Sequence, residues 1–265
     1  MNRHNSLRVK KSKRILLIAF AIMCGSVCPV AQVGPFSSPA HAPQAKTQEE
    51  LDAYLQIATG QDPNMVIRNT ETFVSQYSQS MLLGMAYQYQ MLAYEQKSDF
   101  QGLLSAGEKA LKLQPDNVNT LLTLANAIPN ALAGRPDSAD LLTRAQEYAH
   151  RALRGIDQMR IPLTMPLERW ESSKAEMVSR AHEAFGQVAM KRNQLPLAVS
   201  EFEMAARGNP KPRGSQFYRL GAAYAAIGNN NGAVTALRRA ADLGPDALRE
   251  LAEHELKELG GTHPE

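Results

Sequence analysis

The sequence predicts an all-α fold: an α-solenoid of stacked helix–turn–helix hairpins, closed by a C-terminal capping helix. Three observations carry this. Hydrophobic residues make up 44% of the 265 residues but aromatics only 6%, and Ala and Leu are abundant. That balance favours helices over sheets, which want more Val, Ile and Thr. From Gln48 onward apolar residues recur at helical spacing. Small residues and prolines also return at an interval of 35, as Gly186 and Gly221, Ala198 and Ala233, and Pro210 and Pro245.

The chain opens on a segment of different character. Arg3, Arg8, Lys10, Lys11, Lys13 and Arg14 precede an apolar run from Ile15 to Met23, and no acidic residue occurs up to Ala42. A positive start, a short apolar stretch and small residues downstream, Ala40 and Ala42 among them, read as a secretory signal. The run is short of the roughly 20 apolar residues of a membrane span, although an uncleaved N-terminal anchor is the alternative. Pro43 directly after Ala42 disfavours cleavage there, so processing after Ala40 is equally open. Cys24 and Cys28 follow Met23 and Val27, not the small residues a lipidated cysteine wants, and read as apolar signal residues. The rest of the chain has no thiol, which suits an oxidising compartment.

The formal charge of +3 resides in this segment. Setting its six basic residues aside leaves 23 basic against 26 acidic side chains, a net −3, so a cationic nucleic-acid surface is not expected. Membrane association is expected only through the N-terminal segment, if it is retained.

From Gly34 to Thr47 the prolines Pro35, Pro39 and Pro43 mark a linker. A first helix is expected from Gln48, with Leu51, Tyr54, Leu55 and Ala58 as its apolar stripe and Gly60 and Pro63 at its end. A second runs from about Asn64 to Tyr77 and buries Val66, Ile67, Phe73 and Val74.

Three copies of one pattern then follow. The clearest contains Phe217, Leu220, Gly221, Tyr224, Gly228, Ala233, Leu237, Ala240 and Pro245. Before it come His182, Phe185, Gly186, Ala189, Asn193, Ala198, Phe202, Ala205 and Pro210 in the same order. An earlier copy holds Tyr87, Met91, Tyr94, Phe100, Leu103, Gly107, Ala110 and Pro115. Large residues two turns apart share a helix face. Gly186 opposite Ala198, and Gly221 opposite Ala233, would let antiparallel helices approach closely, Gly228 would take positive φ at a helix end, and the prolines would stop each second helix. These residues resemble the tetratricopeptide repeat, which implies a right-handed α-solenoid.

A fourth unit departs from the pattern. Leu121, Leu124, Ala125 and Ile128 begin it well, but Pro129 and Ala133 to Pro136 interrupt, and a second helix resumes near Ser138 with Ala145, Ala149 and Ala152. Another irregular stretch, Ile156 to Pro166, precedes a long helix from about Glu168 to Lys191 that holds Trp170, the only tryptophan. Beyond Pro245, Leu248, Leu251, Leu256 and Leu259 alternate with charged residues, as a solvating cap would. The expected organisation is therefore a signal over 1–42, a linker over 43–47, a divergent helix pair over 48–79 and an array over 80–260. Within the array the units are 84–117, a degenerate 118–155, 179–213 and 214–245, with a linker and long helix over 156–178, the cap over 246–260 and a tail over 261–265.

Catalytic chemistry finds no foothold. His254-Glu255 begins like a zinc-protease helix, but Glu258 stands where the second histidine belongs. His182 occupies a packing position of the repeat, and His150 has no partner at metal-ligand spacing. No phosphate-binding glycine loop or nucleophile elbow occurs, and the acidic residues of the last helix read as a solvated face. The expectation is a protein that is not an enzyme and uses no cofactor or metal.

The resemblance implies that the first helices of successive units line a concave groove for an extended peptide or a partner helix. Carried onto this chain, the groove candidates are Gln88, Tyr89, Leu92, Asn119, Leu122, Thr123, Asn126, Arg180, Glu183, Gln187, Tyr218 and Arg219. Asn126 offers an amide for a peptide backbone, and Tyr89 and Tyr218 are the expected anchors. The Lys, Asn and Arg clamp with which chaperone-tail binders hold a terminal carboxylate is not rebuilt, because Gln88, Leu92 and Thr123 stand at its positions. The expected function is an exported adaptor with a protein or peptide partner; the alternative is a structural, self-assembling homo-oligomer.

Overall fold

The computed structural model describes residues 43–260. The signal reading of residues 1–42, both cysteines, the cleavage alternatives and the tail 261–265 lie outside the described residues. Among the described residues there are eleven α-helices, one 3₁₀ turn and no strand. In chain order the helices are α1 Gln48–Ala58, α2 Pro63–Gln76, α3 Leu83–Gln96, α4 Phe100–Leu113, α5 Val118–Ala127 and α6 Ser138–Gln158. They continue with α7 Leu167–Lys191, α8 Leu195–Gly208, α9 Gly214–Ala226, α10 Asn230–Leu243 and α11 Asp246–Gly260. Each packs on its neighbour in sequence, and the result is an all-α solenoid of hairpins.

Local chemistry sets the helix starts. Thr47, Asp62, Asp99, Asn117 and Asn229 each accept a backbone N–H of the first turn, and Pro63 takes the first position of α2, where its missing N–H costs nothing. The turns inside three hairpins are built alike. Ser98, Asn193 and Gly228 hold φ of 56°, 58° and 77°. In each, the next residue donates its N–H five residues back: Asp99 to Tyr94, Gln194 to Ala189 and Asn229 to Tyr224. A left-handed residue with this long backward bond is how a helix end satisfies its last carbonyls.

Close approach within hairpins depends on glycine, with a different partner from the one expected. A Cβ on Gly186 would stand 2.6 Å from the Phe202 ring, and one on Gly221 would stand 2.7 Å from Leu237 Cγ. The notch thus receives the large residue four positions beyond Ala198 or Ala233, and not chiefly the alanine itself. Gly107 does the same between units, where a Cβ would meet Leu124 at 2.7 Å.

In α1 the buried set is Leu51, Tyr54 and Ile57; Leu55, expected in the stripe, is 38% exposed because it falls a third of a turn off that face. The degenerate unit keeps its hairpin. Ile128–Ala131 turn as a 3₁₀ segment, Gly134 takes φ 70°, and α6 then runs 21 residues. The largest core lies here, around Met91, Leu121, Leu124, Leu141 and Ile156.

First helices touch one another, α1 with α3, α5 with α7 and α9 with α11, and no two second helices of successive units pack comparably among the described residues. At these three places successive units approach one another on the side of their first helices, which is called the inner face below. At the C-terminal end α11 fully buries only Ala252, against Leu237 and Ala240, and presents charge outward. No helix of the described residues is long and apolar enough to cross a membrane.

Candidate functional site: the inner face of helices α5, α7 and α9

Three of the inner helices converge on one polar network. Asn126 of α5 donates through Nδ2 to the carbonyls of Leu122 (2.9 Å) and Arg180 (3.0 Å), and its Oδ1 accepts from Gln187 Nε2 (3.0 Å). Carbonyls only accept, so the Asn126 amide has one possible orientation, and that in turn orients Gln187. Gln187 Oε1 is left buried and without a partner.

Glu183, one turn along α7, is 4% exposed. It accepts from Arg213 at 3.3 Å and from Arg219 of α9. A buried carboxylate needs such partners, and these two tie the last full unit onto α7. Arg180 is placed differently. Its guanidinium donates only to Thr123 Oγ1, at 3.4 Å, and among the described residues no carboxylate lies at ion-pair distance from it. Burial, reinforced by Arg213, lowers its pKa from the usual value, and Glu95, Glu176 and Glu183 pull the other way from farther off. The inner face thus holds a partly desolvated cation with donors to spare.

The sequence candidates divide accordingly. Thr123, Asn126, Arg180, Glu183, Gln187 and Arg219 come together in this network. Leu122 does not belong to any open groove: it is fully buried, because the helix face one residue from Thr123 turns into the main core. Leu92 likewise packs against that core. Both amide hydrogens of Asn126 are spent inside the protein, so it has no donor left for a peptide backbone. Gln88 accepts from Asn117 Nδ2 at 3.1 Å, which locks α3 to the start of α5. Tyr89 is half-buried, edge-on to Tyr54 at 6.2 Å between centroids. Asn119 is half-buried on α5. Tyr218 leans towards Glu255 of α11 at 3.5 Å and packs in the C-terminal cluster. The two tyrosines expected as anchors thus lie outside this network, each half-buried beside a separate apolar cluster.

Helical periodicity missed Arg213, which lies in the Pro210 to Arg213 connection, where no period applies. It also missed a buried polar chain beneath the site. Gln216 Nε2 donates to Ser179 Oγ (2.8 Å), which donates to the Ala205 carbonyl (2.7 Å), and Asn209 Nδ2 donates to Gln216 Oε1 (2.9 Å). Polar residues at buried helix positions, Ser179 above all, were the available signal. Outside the groove His182 Nδ1 lies 2.8 Å from Glu201 Oε2, within the α7–α8 hairpin.

No protein-family model matches the chain, and no curated protein is significantly similar to it in sequence. Solved structures do resemble it. PilW, a widely conserved type IV pilus biogenesis factor, superposes with a TM-score of 0.58 at 14% identity, over 81% of this chain and 87% of that one. YrrB, a TPR protein with an unusual peptide-binding site, gives 0.51 at 20% identity over 77% and 88%. A thermophilic TPR protein of Thermus thermophilus gives 0.54 at 14% identity over 79% and 98%. The fold of this chain is that of the tetratricopeptide-repeat solenoids.

Proposed function

We propose that this chain is a non-catalytic, exported adaptor that binds a protein or peptide partner along its concave face. One observation carries the reading: Arg180 sits on the inner face without an ion-pair partner, while the neighbouring Arg213 and Arg219 are occupied by Glu183. A guanidinium held in such a place gains most from a carboxylate or a main-chain carbonyl that arrives with a ligand, since charge-assisted bonds strengthen as water is excluded. YrrB, a TPR protein that shares this fold, has a peptide-binding site, which supports a peptide ligand for this architecture without saying which face takes it. Export rests on the N-terminal sequence pattern, with an N-terminally anchored form as the alternative.

The test is capture of partners from envelope extracts by the exported chain and by Arg180→Glu. Charge reversal should remove the captured partner and leave the helical circular dichroism unchanged, while Arg238→Glu, at an exposed site on α10, should capture normally. Equal capture by Arg180→Glu would take the inner face out of the argument. The alternative, a self-assembling envelope protein, draws on an apolar loop outside the groove.

A further inference from the structure

The connection between α6 and α7 is unusual for a surface loop. Ile161, Leu163 and Leu167 are 43%, 104% and 60% exposed. Leu163 stands at the corner of a turn closed by Met165 N–H to the Pro162 carbonyl at 3.0 Å. Turn corners favour Gly, Asn, Asp and Ser, whose side chains suit water or bond the backbone, and a leucine there has no local purpose. Pro162 and Pro166 fix the chain on both sides of it, so little ordering remains to be done if the tip is grasped.

Beside this loop is a cleft of about 870 Å³ on the edge of the solenoid, where the start of α3 and the end of α4 meet the start of α5 and the end of α6. Met81, Leu83, Leu113, Val118 and Met159 supply its apolar surface. Met81 and Leu113 are each 50% exposed. Met159 both lines the cleft and begins the loop, yet Leu163, four residues on, is fully exposed and stays outside its own cleft. Asp116 lies on the cleft rim and Arg160 on the loop; both are exposed, and neither has an ion-pair partner among the described residues, whereas the two rim cations are engaged, Arg154 with Glu147 and Arg151 with the Pro115 carbonyl.

We propose that the loop and the cleft are the two halves of one interface: Leu163 and Ile161 of one copy seat in the edge cleft of a second copy, and the reverse, about a two-fold axis. An apolar plug and an apolar socket side by side on one edge are self-complementary, and a two-fold arrangement pairs each plug with the other's socket at once. Arg160 of each loop would meet Asp116 of the facing rim. No residue of the α5–α7–α9 network takes part, so the inner face stays open in the dimer.

Light scattering after size exclusion, on the full chain over a range of concentrations, should give twice the chain's own mass. Leu163→Asp and Met81→Glu should each give a monomer of unchanged helicity, and Leu197→Asp, an exposed position on α8, should leave the dimer intact. In a Cys24→Ser, Cys28→Ser background, Leu163→Cys combined with Leu113→Cys should yield a disulfide-linked dimer on a non-reducing gel. A monomeric wild type overturns the proposal, as does a dimer that survives Leu163→Asp. A dimer lost with Leu163→Asp but kept with Met81→Glu overturns it too, because the loop would then pack somewhere other than the cleft. A monomer that binds anionic phospholipid vesicles through Leu163 would assign the loop to a membrane surface instead.

Discussion

Single residues in this protein act through backbone shape and through the cost of burying charge. At the hairpin turns a left-handed residue is needed three times, and the chain meets the need with Ser98, Asn193 and Gly228. Only glycine adopts that shape without Cβ strain. A Cβ on Gly228 would meet nothing within 4 Å, so Gly228→Ala isolates the backbone term. Urea unfolding should show a loss of about 1 kcal/mol. Ser98→Gly should move the other way, by about 0.5 kcal/mol, because relief of strain is partly offset by added freedom in the unfolded chain. Tyr54 gives a pH signature. The residue is 5% exposed, and burial first, then Tyr89 beside it, raises the pKa of its hydroxyl from 10.0. Below about pH 10 tyrosine is protonated whether folded or not and gives no slope. Above it the unfolded chain has released the proton that the folded chain still holds, so stability falls as pH rises. Urea midpoints at about pH 9 and about pH 11 should therefore differ less for Tyr54→Phe than for the wild type. Equal slopes would mean that this hydroxyl is not held protonated by the fold.

At the scale of the helix and the hairpin, the sequence was readable wherever one period governed the choice of residue. The recurrence of Gly186 and Gly221, with their alanines and prolines, marked the hairpins because a shared geometry demands the same notch each time. The notch's true partner was not readable: Phe202 and Leu237 fill it, and which large residue reaches a glycine depends on the crossing of two helices. Groove residues were only half legible for a related reason. Periodicity puts Leu122, Thr123 and Asn126 near one another, but a rotation of one residue separates the fully buried Leu122 from a polar network member. It says nothing about whether a polar group facing inward is spare or already used, and both Asn126 donors are used while most of Arg180's are not. Loops were the least legible. Arg213 supplies one of the two ion pairs to Glu183 from a segment with no period, and Leu163 signals an interface only once its full exposure beside a cleft is seen.

The whole molecule is a stack in which each hairpin is held by its neighbours, and this makes its stability local. Polar chains such as Gln216 to Ser179 and the Glu183 ion pairs join adjacent units, and no element of the described residues packs across the length of the stack. Such an array behaves as a line of units with nearest-neighbour coupling rather than as one cooperative core. The last coupling is the one α11 makes: Leu256 and Leu259 cover Leu237 and Ala240, and Ala252 is fully buried against them. A chain ending at Gly244 would expose that apolar face and free Tyr218 from Glu255. Hydrogen exchange on this truncation should therefore show lost protection in α9 and α10, with α3 to α6 close to the full-length chain, and more aggregation through the bared end. A globule with a single core would instead lose protection everywhere at once when one of its helices is removed. Uniform loss in the truncated chain would mean that the units are coupled far more tightly than their contacts allow, and the inner face could then not be treated as a set of separately tunable positions.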